Sequence, residues 1–279
     1  MKKIAFIAAA AALAFSAQAM AQDYSKITIA TEGAYAPWNF KDAAGNLVGF
    51  ELDLAKDLCA RMKLECTIVE QAWDGIIPSL QAKKYDVIMA GMSITAKRME
   101  TITFSRDYAA TPASFVVTKD SPLAGFTTKA TFLTLDDKDA DEQAAIDAII
   151  KTFKGKTVGV QTSTTHENFL KEYLANDVDI RSYDTQENLD LDLQAGRVDA
   201  ALASMSYWVP LLASDKGTDM KMVGPGMTGG PFGAGVGAGI RKEDQKLADM
   251  FTAAINSAIA DGTVKKMAEQ WFGFDASAK

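Results

Sequence analysis

Short β-branched runs alternate with segments of helical period along most of this chain, and the alternation stops once and starts again. Ile27–Thr31 reads as a strand, followed by Cys66–Val69 and Asp86–Met89. Between them Glu51–Met62 repeats apolar residues at Leu54, Leu58 and Met62, which is one face of a helix. Asp74 stands where it would cap a helix reaching Ala82, and Thr95 where it would cap a short helix carrying Lys97 and Arg98. Ala43–Asn46 is turn chemistry between Asn39-Phe40 and Leu47–Phe50, so a small hairpin is expected. The rhythm breaks near Tyr108–Thr111. It resumes with strands at Ser114–Thr118, Thr157–Gln161, Asp179–Tyr183 and Asp199–Ala203. Helices around 142–153, from Thr165 and up to Ala195 separate them. Such alternation predicts an α/β fold with mostly parallel sheets. Residues 120–143 read as a surface insertion, and the acidic run Asp136–Glu142 as a solvated face.

The two α/β blocks account for the chain to about residue 222. Beyond that point lie a strand at Gly235–Arg241 and helices near 244–260 and 263–271, too little for a third core. A return to the first block is therefore expected. Lobe 1 would be 22–110 with 223–279, lobe 2 would be 111–222, and crossovers would lie near 109–112 and 221–225. Eight glycines crowd Gly224–Gly239, but their spacing is not G-x-G-x-x-G and no strand-turn-helix context precedes them. Close backbone approach and a bend at a lobe junction fit better than a phosphate loop.

The first 21 residues have a different character. Lys2 and Lys3 precede an apolar run from Ile4 to Phe15, and Ala19-Met20-Ala21 fits a small-x-small cleavage site, with Ala17-Gln18-Ala19 as the alternative. The run is shorter than the roughly 20 residues of a membrane span. This is a secretory signal, and the mature chain is expected to start at Gln22. Export to an oxidising compartment makes the even cysteine count suggestive of a disulfide between Cys59 and Cys66, worth roughly 2.5 kcal/mol for so short a loop. Two buried thiols are the other reading. A net charge of -7 and a pI near 4.9 argue against a nucleic-acid partner. One histidine and two cysteines leave too few ligands for a metal site, and no cofactor motif is present.

Catalytic signatures are also missing. There is no G-x-S-x-G, H-E-x-x-H or Walker pattern, and His166 is the single histidine. The remaining chemistry suits capture. Gly91–Arg98 gathers hydroxyls, a strand end and an arginine that can grip a carboxylate through two N–H donors. Helix N-termini add amide donors. Thr162–Thr165 repeats the arrangement at a strand-to-helix junction in the second block. One such anchor per block fits a cleft closed from both sides.

These stretches carry a family resemblance. Thr31–Phe40, Gly49–Ala55, Trp73–Leu80, Met92–Arg98, Val158–Thr165, Ala195–Ala200, Gly239–Asp244 and Asp261–Thr263 occur in the same order as in the family 3 periplasmic solute-binding proteins. These serve polar amino-acid ABC transporters. Within them the chain resembles the lysine/arginine/ornithine- and histidine-binding receptors, and most of all the octopine- and nopaline-binding ones. The resemblance spans the mature chain. It implies a two-lobed periplasmic-binding-protein fold (type II, Venus-flytrap) with two hinge crossovers, a Cys59–Cys66 disulfide, a monomer in the periplasm of a Gram-negative bacterium, and an inner-membrane ABC permease as partner. It also implies roles. Arg98 would hold the ligand α-carboxylate with Ser93 and the Thr165 amide. Tyr35 and Trp73 would flank an aliphatic or guanidinium part, and Glu32 would meet a cationic end. Gln161, Ser163 and Thr164 would line the second-lobe side, with His166 more peripheral.

Two departures bear on the ligand. Ser204 stands where the amino-acid binders carry an aspartate for the α-ammonium. Ala90 and Gly91 replace two serines, opening space. A hydroxyl serves a primary ammonium less well than a carboxylate does and leaves room for a substituted nitrogen. An arginine-derived opine, with its secondary amine and second acid arm, is thus expected beside the cationic amino acids. The alternative on the same fold is a periplasmic cyclohexadienyl (arogenate/prephenate) dehydratase, which would recruit Glu32.

Overall fold

The structure, a computed structural model, describes residues 24–136 and 139–279. The signal segment, its cleavage sites, Gln22, and Asp137 and Lys138 within the acidic run lie outside the described residues.

The first block opens with β1 (Lys26–Thr31), the short strands β2 (Ala34–Tyr35), β3 (Asn39–Lys41) and β4 (Leu47–Val48), and the helix α1 (Phe50–Met62). It continues with β5 (Glu65–Glu70), α2 (Ile76–Gln81), β6 (Val87–Ile88), α3 (Ala96–Met99) and β7 (Ile102–Ala109). The second block holds β8 (Ala113–Thr118), β9 (Phe132–Thr134), α4 (Ala140–Phe153), β10 (Thr157–Gln161) and α5 (Thr165–Phe169). Next come β11 (Asp179–Tyr183), α6 (Gln186–Gln194), β12 (Ala200–Ser204), α7 (Met205–Leu212) and β13 (Met220–Thr228). β14 (Val236–Arg241), α8 (Gln245–Ala260) and α9 (Thr263–Phe272) close the chain.

Two sheets result, in orders β5-β1-β6-β14-β7 and β11-β10-β12-β8-β13-β9, with β2-β3-β4 as a separate small sheet. β14 pairs between β6 and β7, in the first sheet. Both main sheets are covered on two faces. In β1, Ile27 and Ile29 enter one apolar cluster while Ala30 enters another. In β8, Phe115 and Val117 face one cluster and Val116 the other. The near-continuous apolar runs of these strands follow from burial on both sides.

Several expectations shift. Asp74 does not cap a helix: it sits inside a 3-10 turn, Trp73–Gly75, and α2 starts after it without a side-chain cap. The 120–143 segment contributes β9, which adds to the second sheet beside β13. Within the acidic run, Asp139 caps α4 by accepting from the Glu142 amide at 2.8 Å. β13 stays on the second sheet to Thr228, so the chain returns across 229–235, further on than 221–225. Gly229, Gly230, Gly233 and Gly235 all hold positive φ there. A Cβ on Gly233 would collide with the Ile94 carbonyl, which is the close approach that the glycine density foreshadowed. Cys59 and Cys66 are disulfide-bonded, with Cα atoms 6.2 Å apart.

Candidate functional site

β1, β5 and β6 run parallel, as do β10, β11 and β12. Side chains just past or at the carboxyl ends of these six strands meet around one cavity between the sheets. Carboxyl ends of parallel strands are the usual ligand edge of such sheets, because the chain turns there and leaves amides and loop side chains free. Glu32 and Tyr35 follow β1, Trp73 follows β5, and Ala90, Gly91 and Ser93 follow β6. Gln161, Thr164, Thr165 and His166 come from the end of β10 and the turn into α5, and Ser204 ends β12.

Arg98 supplies the positive charge. Thr95 caps α3 by accepting from the Arg98 amide at 3.2 Å, which fixes where the side chain starts. Its guanidinium donates to the carbonyls of Ser93 (2.9 Å) and Ser163 (3.2 Å) and lies 5.2 Å over the Trp73 ring. Among the described residues no carboxylate forms an ion pair with it. Burial pulls its pKa from 12.5 down to about 10, so it stays charged at neutral pH. A desolvated cation held by carbonyls alone is poised for an incoming anion.

Glu32 supplies the negative charge. Its Oε1 accepts from Gln161 Nε2 at 2.6 Å, across the cleft, and Gln161 also donates to the Asp184 carbonyl. Burial raises its pKa from 4.5 to about 7, the Gln161 bond opposing. The Tyr35 ring stacks on Tyr207 of α7, centroids 4.9 Å apart. Trp73 Nε1 donates to the Thr162 carbonyl at 3.0 Å. His166, expected at the periphery, lies in the wall with Nε2 3.4 Å from Ser204 Oγ. Burial and then the Arg98 charge push its pKa down to about 3, so it is neutral.

The Thr164 hydroxyl is committed to the α5 cap, accepting from the Glu167 amide and donating to the Gln161 carbonyl. Ser163 lies at the rim: its hydroxyl turns out to Asp74 at 2.8 Å, and only its carbonyl reaches inward, to Arg98. Two residues escaped the sequence reading. Glu51 is buried on α1 and holds the Gly91 amide at 2.7 Å, fixing the turn after β6. Gln186, 1% exposed, enters the cavity from the start of α6. The signal that could have found it is its place just after β11, whose carboxyl end lies beside that of β10. Among the described residues no group of three or more His, Cys, Asp or Glu is arranged to hold a metal.

Residues 27–274 match the profile of the bacterial extracellular solute-binding proteins, family 3. The chain belongs to this family. Among its relatives, an octopine-binding periplasmic protein of Rhizobium meliloti is 44% identical, the match covering 97% of this chain and 98% of that one. A histidine-binding periplasmic protein of Salmonella typhimurium is 39% identical, covering 99% and 98%. Among solved structures, a periplasmic His/Glu/Gln/Arg/opine family-binding protein from Silicibacter pomeroyi in complex with lysine superposes with a TM-score of 0.73. It is 34% identical over 91% of this chain and 100% of that one. An ancestral arginine-binding protein bound to arginine gives a TM-score of 0.75 at 29% identity, covering 89% and 99%. This solute-binding protein therefore has the two-lobed fold of its structural neighbours, with the cavity between the lobes.

Proposed function

We propose that this solute-binding protein captures a cationic amino acid or an arginine-derived opine in the periplasm and delivers it, as a monomer, to an inner-membrane ABC permease. The observation that carries the reading is the pair of opposite, unneutralised groups in one cavity. Arg98 has carbonyls around it and suits an α-carboxylate, while Glu32 is raised to about 7 by burial and suits a cationic end. The aromatic pair Tyr35 and Trp73 suits the part between, a cation over such a face adding about 0.5–2 kcal/mol. The hinge would lie at 110–112 and 229–235, with 24–109 and 236–279 moving against 113–228.

The opine half of the reading has its own support. A second cavity adjoins the first on the hinge side and shares Ser93, Thr165, His166 and Ser204 with it. Ser204 leaves an N-linked acid arm a way into it, where a carboxylate would close the gap. The relative that binds octopine, by its name, points the same way.

Titration calorimetry of the mature protein with octopine, nopaline, arginine, lysine, ornithine and histidine tests the reading. At least one should bind, and Arg98→Ala should abolish binding of every one. Ser204→Asp should shift the ranking toward the primary amino acids. Silence across all six ligands, or near-wild-type affinity in Arg98→Ala, would overturn it.

A further inference from the structure

Gln186 is the cavity residue with the least obvious reason to be there. Thr185 caps α6 by accepting from the Asn188 amide at 3.2 Å, which points the first residue of the helix, Gln186, at the cavity. One turn on, Asp190 is buried behind it and does not touch the cavity. Both Asp190 oxygens are taken: Oδ1 accepts from Gln186 Nε2 at 3.0 Å, and Oδ2 accepts from the Tyr207 hydroxyl. Burial raises Asp190 only to about 6, so at neutral pH it is an ionised, acceptor-only group.

That fixes which way the amide faces. The Gln186 NH2 is drawn to Asp190, which leaves the carbonyl Oε1 as the amide acceptor toward the cavity. No donor among the described residues meets that oxygen. Its neighbourhood is the Glu32 end: Gln161 bridges Glu32 and the Asp184 carbonyl, two residues before Gln186.

We propose that Gln186 is a specificity-determining residue, a second acceptor beside Glu32 for the N–H donors of a guanidinium, and that Asp190 is the positioning residue that orients it. The proposal rests on the capture reading above. A guanidinium offers donors in a rigid planar fork and can meet Glu32 and Gln186 together, whereas an ammonium is a compact point charge whose hold on a neutral amide oxygen is weaker. The site so built favours arginine and its N-substituted derivatives over lysine.

Calorimetry with L-arginine and L-lysine decides it. Gln186→Met keeps the size and removes the acceptor. It should weaken arginine by about tenfold or more, the loss expected for a hydrogen bond to a charged donor, and lysine by less than about threefold. Gln186→Glu keeps an acceptor and should keep the arginine preference. Asp190→Asn should shrink the arginine-to-lysine ratio, because an asparagine amide can donate to Gln186 Oε1 and turn the side chain. A merely structural role for Asp190 would weaken both ligands equally. If Gln186→Met, folded by circular dichroism, leaves the ratio unchanged, the proposal is wrong. Should Asp190→Asn not fold, Gln186→Met against Gln186→Glu still decides. Failure of the wild type to bind either ligand would instead count against the capture reading.

Discussion

Glu32 enters the closed cavity as a carboxylate whose pKa burial has raised from 4.5 to about 7. The stability this group contributes is complete below about 4.5. It is lost as the pH rises through about 7, because the folded form holds a proton that the unfolded form has already released. A bound cation gives the ionised form a partner and draws the pKa back down. Binding between these limits should therefore release a proton, and affinity for a cationic ligand should rise with pH up to about 7. His166, held near 3, contributes nothing in this window. Arginine titrations near pH 6 in buffers of different ionisation enthalpy should show the release, and Glu32→Gln should reduce both the release and the pH slope to the part that Asp190, raised to about 6, leaves. A wild-type affinity that is flat between pH 5 and 7 would mean that Glu32 does not meet the cation. Arg98 was legible in the sequence because it stands in a strand-end stretch of hydroxyls and a capped helix, whereas Glu32 was named only through the family resemblance. Gln186 was not legible: a glutamine after a capping threonine is ordinary, and only the fold brings it beside Glu32 and sets Asp190 behind it.

At the level of elements, the disulfide ties the end of α1 to the start of β5. It lies in and beside the first apolar cluster and away from the cavity walls. Replacing both cysteines with alanine should lower the unfolding free energy by about 2.5 kcal/mol, read as a lower urea midpoint. Arginine affinity should stay unchanged, and a change would mean that α1 moves the Gly91 turn through Glu51. The elements that sequence reasoning found are those whose period is clean, such as α1 and β10. β7 was hidden by Thr103, Ser105, Arg106 and Asp107, which place polar groups on both faces of the strand. Ser105 and Arg106 each bond neighbouring elements, Ser105 to the Ala238 amide and Arg106 to Asn256, so tertiary partners stand in for an apolar face. α7 was hidden for the opposite reason. Met205–Leu212 is apolar almost throughout and carries Pro210, so it lacks a helical stripe. It lies where both lobes meet: Ser206 receives Trp38 Nε1 and Tyr207 stacks on Tyr35.

Across the whole molecule, the hydrogen bonds that join the lobes over the cavity include Glu32 with Gln161, Trp73 with Thr162, Arg98 with Ser163, and Asp74 with Ser163. The first three involve side chains that line the cavity. The last does not, because Asp74 and the Ser163 hydroxyl are at the exposed rim. It can bias closure without touching a ligand. A ligand that binds the closed form spends part of its affinity against the open-closed equilibrium, so destabilising closure reduces every apparent affinity by the same factor. Asp74→Ala removes one exposed charge-assisted hydrogen bond, worth about 0.5–1 kcal/mol. It should weaken arginine, lysine and octopine alike, by roughly two- to fivefold, and leave their ranking intact. Small-angle scattering should show a larger radius of gyration for the ligand-free variant than for ligand-free wild type, and equal radii at saturation. An altered ranking would place Asp74 at the ligand, and unchanged affinities with unchanged radii would mean that the rim bond carries no weight in closure.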